Sequence, residues 1–307
     1  MARLRREREE LAAAKRAPNS VRAYGFAWAD FEGWCREAGR RPLPASGEAV
    51  ELYLVDRSKV YKPATLELRL AAIRARHEAA GHKSPVSEET RELLGAIKRR
   101  RKNSGPAGKA ALTPEELFKA SKALRWTARD VRDRAVLVLG FATGLRRSEL
   151  AALELSDVRF VEQGLVVHVG RSKTDQEGDG VSLGIFPGRR ARTCPVRMLR
   201  RWLKVRGTAP GPLFHPFTPR GERLDRSRGL GAGSILDIVK RCVALIGLDP
   251  AEYGAHSLRA GMVTAAIVDG VPEAVVMRRS RHRSRAVMGR YVRIADLFRV
   301  NPLARAL

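Results

Sequence analysis

The stretch GLVVHVGRSKTDQEGDGVSLGIF, Gly164 to Phe186, is where the sequence changes its period. GLVVHVG (164–170) and VSLGIF (181–186) have the composition and alternation of half-buried strands. The ten polar and glycine residues between them, RSKTDQEGDG, form a turn. On either side the apolar residues return to helical spacing. Upstream are a helix at about 114–125 and the apolar helix of RDRAVLVLGFATG. Downstream, helices are predicted in CPVRMLRRWLKVRG, SILDIVKRCVALIG, SLRAGMVTAAIVDG, PEAVVMRRS and SRAVMGRYVRIADLF, several of them followed by a capping glycine. The fold class predicted is mainly α with a small antiparallel β-sheet inserted among helices.

Further upstream, KRRRKNSGPAGKAALTPEEL (98–117) reads as a linker followed by a helix start. Basic residues and then Asn, Ser, Gly and Pro build no core, whereas Thr113, Pro114 and Glu116 supply a cap, a first-turn proline and a capping-box acid. Before this break, four amphipathic segments, SVRAYGFAWADFEGWCREAG, GEAVELYLVDRS, KPATLELRLAAIRARHEAAG and SEETRELLGAIKRR, predict a compact helical domain of four to five helices. The fifth would be the charged N-terminal segment MARLRREREELAAAKRA. The organisation expected is an N-terminal domain over 1–100, a basic linker over 101–112 and a second domain over 113–307.

Lys and Arg total 59 against 33 acidic residues, a formal charge of +26. Such an excess attracts a polyanion before any specific contact forms, which makes nucleic acid the leading partner. There is no apolar run of membrane-spanning length and no signal peptide, so no membrane partner is expected and a cytoplasmic location is. Cys35, Cys194 and Cys242 make no CxxC pair, and neither a disulfide framework nor a zinc site is indicated.

The chemistry is carried by short motifs. HSLRAG (256–261) puts His256 and Arg259 one helical turn apart, on one face. A phosphodiester approaching a pentavalent transition state gathers negative charge on its non-bridging oxygens, so an enzyme without a metal needs several preplaced cationic donors. ATGLRRSELAAL supplies Arg146 after a glycine-marked bend, with Glu149 one turn on to orient it; Arg147 competes for the same role. Lys173, at the tip between the two strands, is placed to deliver an ammonium to a leaving oxygen. Tyr291 follows His282 by nine residues in RHRSRAVMGRYVR, where cationic neighbours favour a phenolate. Alone, Tyr291 would be a packing tyrosine and Lys173 a solvated turn residue; their order along the chain raises both. Tyr253 is the rival nucleophile, and His77, His82, His168 and His215 match no motif.

Taken together, these residues resemble the tyrosine recombinases, or phage-type integrases. TGLRRSEL (143–150) is similar to that family's first arginine motif, HSLR (256–259) to its His-x-x-Arg motif, and His282 with Tyr291 to its terminal histidine and nucleophile. Two positions depart from the family: Ser280 and Arg281 stand where Leu-Gly is usual. The resemblance implies that Arg146 and Arg259 bind the scissile phosphate, His256 assists proton transfer and His282 hydrogen-bonds a phosphate oxygen. It implies further that Lys173 protonates the leaving 5′ oxygen, Glu149 supports the site and Tyr291 attacks, leaving a 3′-phosphotyrosyl link that a partner strand's 5′ hydroxyl reverses.

No cofactor and no metal are implied. The partners implied are a double-stranded DNA recombination site clamped by both domains, and a homotetramer on two duplexes, in a prokaryotic nucleoid setting. RIADLFRVNPLARAL (293–307), with Leu297 and Phe298 too apolar to dangle, would be either the segment exchanged between subunits or one buried against its own domain. The basic run Lys98, Arg99, Arg100, Arg101 and Lys102 is expected to touch DNA phosphates. A type IB topoisomerase shares the chemistry. A non-catalytic helix-turn-helix reading of VTAAIVDGVPEAVVMRRSRHRS explains the charge but gives Arg146 and Lys173 no reason to stand in motifs of their own.

Overall fold

The computed structural model describes residues 18–102, 109–170, 180–218, 220–222, 227–282 and 288–289. Lys173 and Tyr291, the expected N-terminal helix and the 293–307 segment lie outside the described residues. The chain divides into two compact units, Met1–Pro106 and Ala107–Leu307.

The first unit is built from α1 (Pro18–Glu37), α2 (Gly47–Ser58), α3 (Pro63–Ala79) and α4 (Glu88–Lys102). Phe31, Tyr53, Leu54, Leu66 and Ile73 fill its core, with Trp28 and Trp34 packed against it. His77 is fully buried and satisfied: its Nδ1 donates to Ile73 O at 2.8 Å and its Nε2 accepts the Ala45 N–H at 2.9 Å, a structural histidine. One sequence expectation is corrected here. Lys98 to Lys102, read as the start of a linker, are the last turn of α4. Lys and Arg are good helix formers, and cations at a helix C-terminus are favoured by its dipole, so the basic run prolongs the helix.

The second unit holds α5 (Pro114–Ala123), α6 (Ala128–Thr143) and α7 (Arg147–Ala151), then strands β1 (Val158–Val161), β2 (Gly164–Val169) and β3 (Val181–Ile185). After these come α8 (Pro195–Arg206), α9 (Ala232–Ala244), α10 (His256–Val268) and α11 (Glu273–Ser280). Thr113 caps α5 in the expected capping box, with Glu116 returning to the Thr113 N–H at 2.8 Å. The sheet is antiparallel in the order β1-β2-β3, with Leu165 opposite Ile185 and Val169 opposite Val181. Leu165, Val167, Val169, Leu183 and Ile185 face inward, the two-residue alternation that the sequence shows. Strand β1 was not anticipated, since VRFV is too short to display a period.

α6 is the central helix: eleven consecutive residues, Asp130 to Gly140, are buried. Two glycines let α10 approach it. Gly144 caps α6 with φ +60, and a Cβ there would meet Met262 Cε at 2.2 Å. Gly261, in α10, has no room at all, because a Cβ would lie 2.0 Å from Leu112 O. The free cysteines Cys35, Cys194 and Cys242 are buried.

Candidate active site

Four segments of the second unit converge on one region. The first is the α6–α7 bend. Arg146 sits in extended conformation as the cap of α7, and its backbone N–H and Nη1 both bind Glu149, at 2.8 Å to Oε2 and 2.8 Å to Oε1. Glu149 is buried, while Arg146 keeps 29% of its side chain exposed. The carboxylate thus orients the guanidinium and leaves part of it facing out. Arg147, the competitor, is exposed and begins α7. Burial pushes the Glu149 carboxyl up, but the Arg146 N–H and guanidinium, with the charge of Arg281, outweigh it and hold the group below its usual range.

The second segment is the start of α10. His256 is its first residue and exposed; Arg259, one turn on, is 2% exposed. Arg259 Nη1 donates to Gly144 O at 2.8 Å, tying the second arginine motif to the backbone of the first. The loop before α10 is closed by the Gly254 N–H on Ser257 Oγ at 2.9 Å. Partial desolvation, then the charges of Arg259 and Arg146, hold His256 below its ordinary pKa.

The third segment ends α11, where His282 follows Arg281. Ser280 is fully buried, and its Oγ lies 2.7 Å from both Val276 O and His282 Nδ1. The carbonyl can only accept, so the single hydroxyl proton goes to Val276 and Oγ accepts from Nδ1–H. The opposite arrangement would leave two oxygens facing each other at 2.7 Å with no proton between them. Neutral His282 therefore carries its proton on Nδ1 and presents a lone pair at Nε2. Desolvation, then the charges of Arg259, His256 and Arg146, push its pKa down to about 4. That His256 and His282 both feel Arg146 and Arg259 places all four in one electrostatic neighbourhood.

The fourth segment is the sheet. Arg279, in the last turn of α11, donates to Gly184 O on β3 at 2.6 Å and to Ala142 O at the end of α6 at 3.0 Å, pinning α11 to both. Sequence reasoning missed Arg279, and it met Ser280 and Arg281 only as departures from a family pattern; that departure was the available signal. The helix-turn-helix reading fares poorly: α10 is largely buried, and Arg279 is committed to main-chain carbonyls. Tyr253 is 7% exposed and its hydroxyl donates to Glu116 Oε1 at 3.0 Å; burial and that carboxylate push its pKa up to about 12. Of the basic run in the first unit, Arg101 donates to Tyr61 O at 2.9 Å and Lys98 pairs with Glu67, while Arg99 and Arg100 are exposed. Among the described residues no group of three His, Cys, Asp or Glu is arranged to hold a metal, and no helix is long and apolar enough to cross a membrane.

Two guanidiniums, the carboxylate that orients one of them and two imidazoles at neighbouring helix ends make a cationic, hydrogen-bonding class of site with the chemistry to hold an anion. Comparison with known proteins gives that class its family. The model of the phage integrase family matches residues 111–297. An integrase/recombinase xerD homolog from Selenomonas ruminantium is 35% identical over 295 residues, covering 94% of this chain and 86% of the relative. The recombinase cre of Escherichia phage P1 is 27% identical over 196 residues, 61% of this chain and 55% of the relative. Among solved structures, the Tn1549 transposon integrase bound to transposon right end DNA has the same fold, with a TM-score of 0.66 at 15% identity, covering 95% of this chain and 97% of that one. The chain belongs to the phage integrase family and is a site-specific tyrosine recombinase.

Proposed function

We propose that the chain cuts and rejoins duplex DNA through a covalent 3′-phosphotyrosyl intermediate formed by Tyr291. The single observation that carries this reading is the grouping of Arg146, Arg259, His256 and His282, each within electrostatic reach of the others at helix ends of one unit. Arg146 and Arg259 bind the non-bridging oxygens of the scissile phosphate, where charge grows as the phosphorus becomes pentavalent. Glu149 orients Arg146. His256 assists transfer of the Tyr291 proton, and the phenolate oxygen forms the new bond to phosphorus as the bond to the 5′ oxygen breaks. Lys173 gives that oxygen its proton. His282 hydrogen-bonds a phosphate oxygen from Nε2; since its neutral form holds the proton on Nδ1, it does so as the imidazolium. The 5′ hydroxyl of a partner strand then attacks the phosphotyrosine and returns the proton along the same groups, so the phosphodiester energy is conserved and neither metal nor nucleotide is consumed.

The first unit, with Arg99 and Arg100 exposed on α4, would clamp the duplex through its phosphates, as its net positive charge favours. A homotetramer on two duplexes, exchanging residues 293–307 between subunits, supplies the second pair of strand ends. A prokaryotic, nucleoid-associated setting and a mobile element or replicon as host follow from this reading. Tyr253 is a poor rival nucleophile, being buried and donating to Glu116.

The test uses duplex DNA with a nick placed so that the released 5′ fragment diffuses away, in excess EDTA. The wild-type chain should accumulate protein linked to DNA, and Tyr291→Phe should bind the same DNA yet link none. An adduct in Tyr291→Phe, or loss of the wild-type adduct on chelation with recovery in magnesium, overturns the reading.

A further inference from the structure

α11 closes with Arg281 in the left-handed region, φ 56, the one non-glycine residue with positive φ among those described. A side chain there costs about 1–2 kcal/mol relative to glycine, so an arginine needs a compensating contact. Its guanidinium turns inward: the side chain is 11% exposed, and Nη2 donates to Glu149 Oε2 at 2.5 Å. Its Nε is buried without a hydrogen-bond partner. Glu149 is therefore shared. One oxygen takes the Arg146 guanidinium; the other takes the Arg146 N–H and Arg281.

The sharing changes the charge of the site. A buried carboxylate facing Arg146 alone would cancel its charge. With Arg281 on its other oxygen, Glu149 is neutralised from the far side, and two guanidiniums against one carboxylate leave a net positive charge at this pair where a single guanidinium would leave none, next to the Arg259 motif. A phosphodiester carries one negative charge, and a pentavalent phosphorus attacked by a phenolate carries two; the surplus charge is matched to the transition state rather than to the bound ground state. We propose that Arg281 is a positioning residue of the cleavage site, which by pairing with Glu149 keeps that carboxylate from neutralising Arg146. This rests on the cleavage reading above and adds a residue to it.

The alternative is a simple staple from α11 to α7, beside the ties that Arg279 makes from α11 to β3 and the end of α6. A substrate with a methylphosphonate at the scissile position separates the two, because replacing a non-bridging oxygen by methyl removes one negative charge. On the natural phosphate, Arg281→Gly should bind DNA within threefold of wild type and cleave about 10–10²-fold more slowly, on the scale of losing one transition-state donor. Arg281→Lys should restore most of the rate. On the methylphosphonate the Arg281→Gly defect should shrink to less than threefold, and in a Glu149→Gln background Arg281→Gly should cost less than threefold on either substrate. Wild-type cleavage with an unimpaired Arg281→Gly, or an equal defect on both substrates, refutes the role of Arg281 and leaves the cleavage reading standing. Failure of the wild-type chain to cleave either substrate refutes both.

Discussion

Gly261→Ala should destabilise the second unit and slow cleavage, although it adds only a methyl group to a helix. The new Cβ would lie 2.0 Å from Leu112 O and 2.7 Å from Phe141 Cε2. The ring can turn, but the carbonyl is held: Leu112 is fully buried, its N–H donates to Ser257 O at 3.0 Å, and the Ala110 N–H donates to Glu252 O at 2.8 Å. Restoring ordinary contact means shifting α10 or the Leu112 backbone by about 1 Å, since carbon–oxygen contacts settle near 3.3 Å. Overpacking of this kind costs about 1–3 kcal/mol, and weakening a buried backbone hydrogen bond adds about 1 kcal/mol. Replacing a helical glycine by alanine returns about 1 kcal/mol. The balance is a loss of about 2 kcal/mol, or roughly 4–8 °C in midpoint for a unit of this size. Because His256 and Arg259 ride on the same helix, a shift of that size should also slow cleavage by about 10²-fold. Thermal unfolding of the full chain measures the first effect and covalent-adduct formation the second. Gly233→Ala in α9, where a Cβ meets nothing within 4 Å, is the control and should be neutral or stabilising. A Gly261→Ala protein as stable as wild type would refute the argument that close approach of α10 to Leu112 demands glycine.

Two further outcomes are expected. Lys173→Ala should slow cleavage by about 10²-fold or more with little change in binding; replacing the bridging 5′ oxygen by sulfur, which leaves without a proton, should rescue it but not Arg146→Ala, and rescue of both or neither would remove Lys173 as the acid. His282 and His256 have depressed pKa values in the folded chain, His282 at about 4, so between that and their ordinary range the unfolded chain binds more protons and stability falls as pH falls. A bound phosphate favours the imidazolium, so DNA binding should take up protons and tighten from pH 7.5 to 5.5 beyond what His282→Gln shows; identical pH profiles for the two proteins would contradict the assignment.

Much of this was legible because periods and motifs are local. The alternation in 164–169 and 181–185 identifies the sheet, and Thr113, Pro114 and Glu116 mark the start of α5. What was hidden depends on contacts distant in sequence. No local pattern says that Arg281 reaches Glu149 or that Arg279 reaches Gly184 and Ala142, because these pairs are brought together only when α11 packs against α6 and β3. Nor does the glycine of HSLRAG declare its reason, which is the carbonyl of Leu112, a residue far upstream. Strand β1 was invisible for a different cause: four residues carry no period, and its pairing with β2 defines it. The basic end of α4 misled because Lys and Arg suit both a solvated linker and a helix C-terminus.

The most direct test of the account is chemical identification of the residue joined to DNA. Wild-type protein trapped on a nicked duplex is digested with protease, the DNA-linked peptide is isolated, and the modified side chain is located by tandem mass spectrometry. The account predicts a 3′-phosphate ester on Tyr291. A nucleotide attached to Tyr253, to any other residue, or to the 5′ end of the broken strand would contradict it.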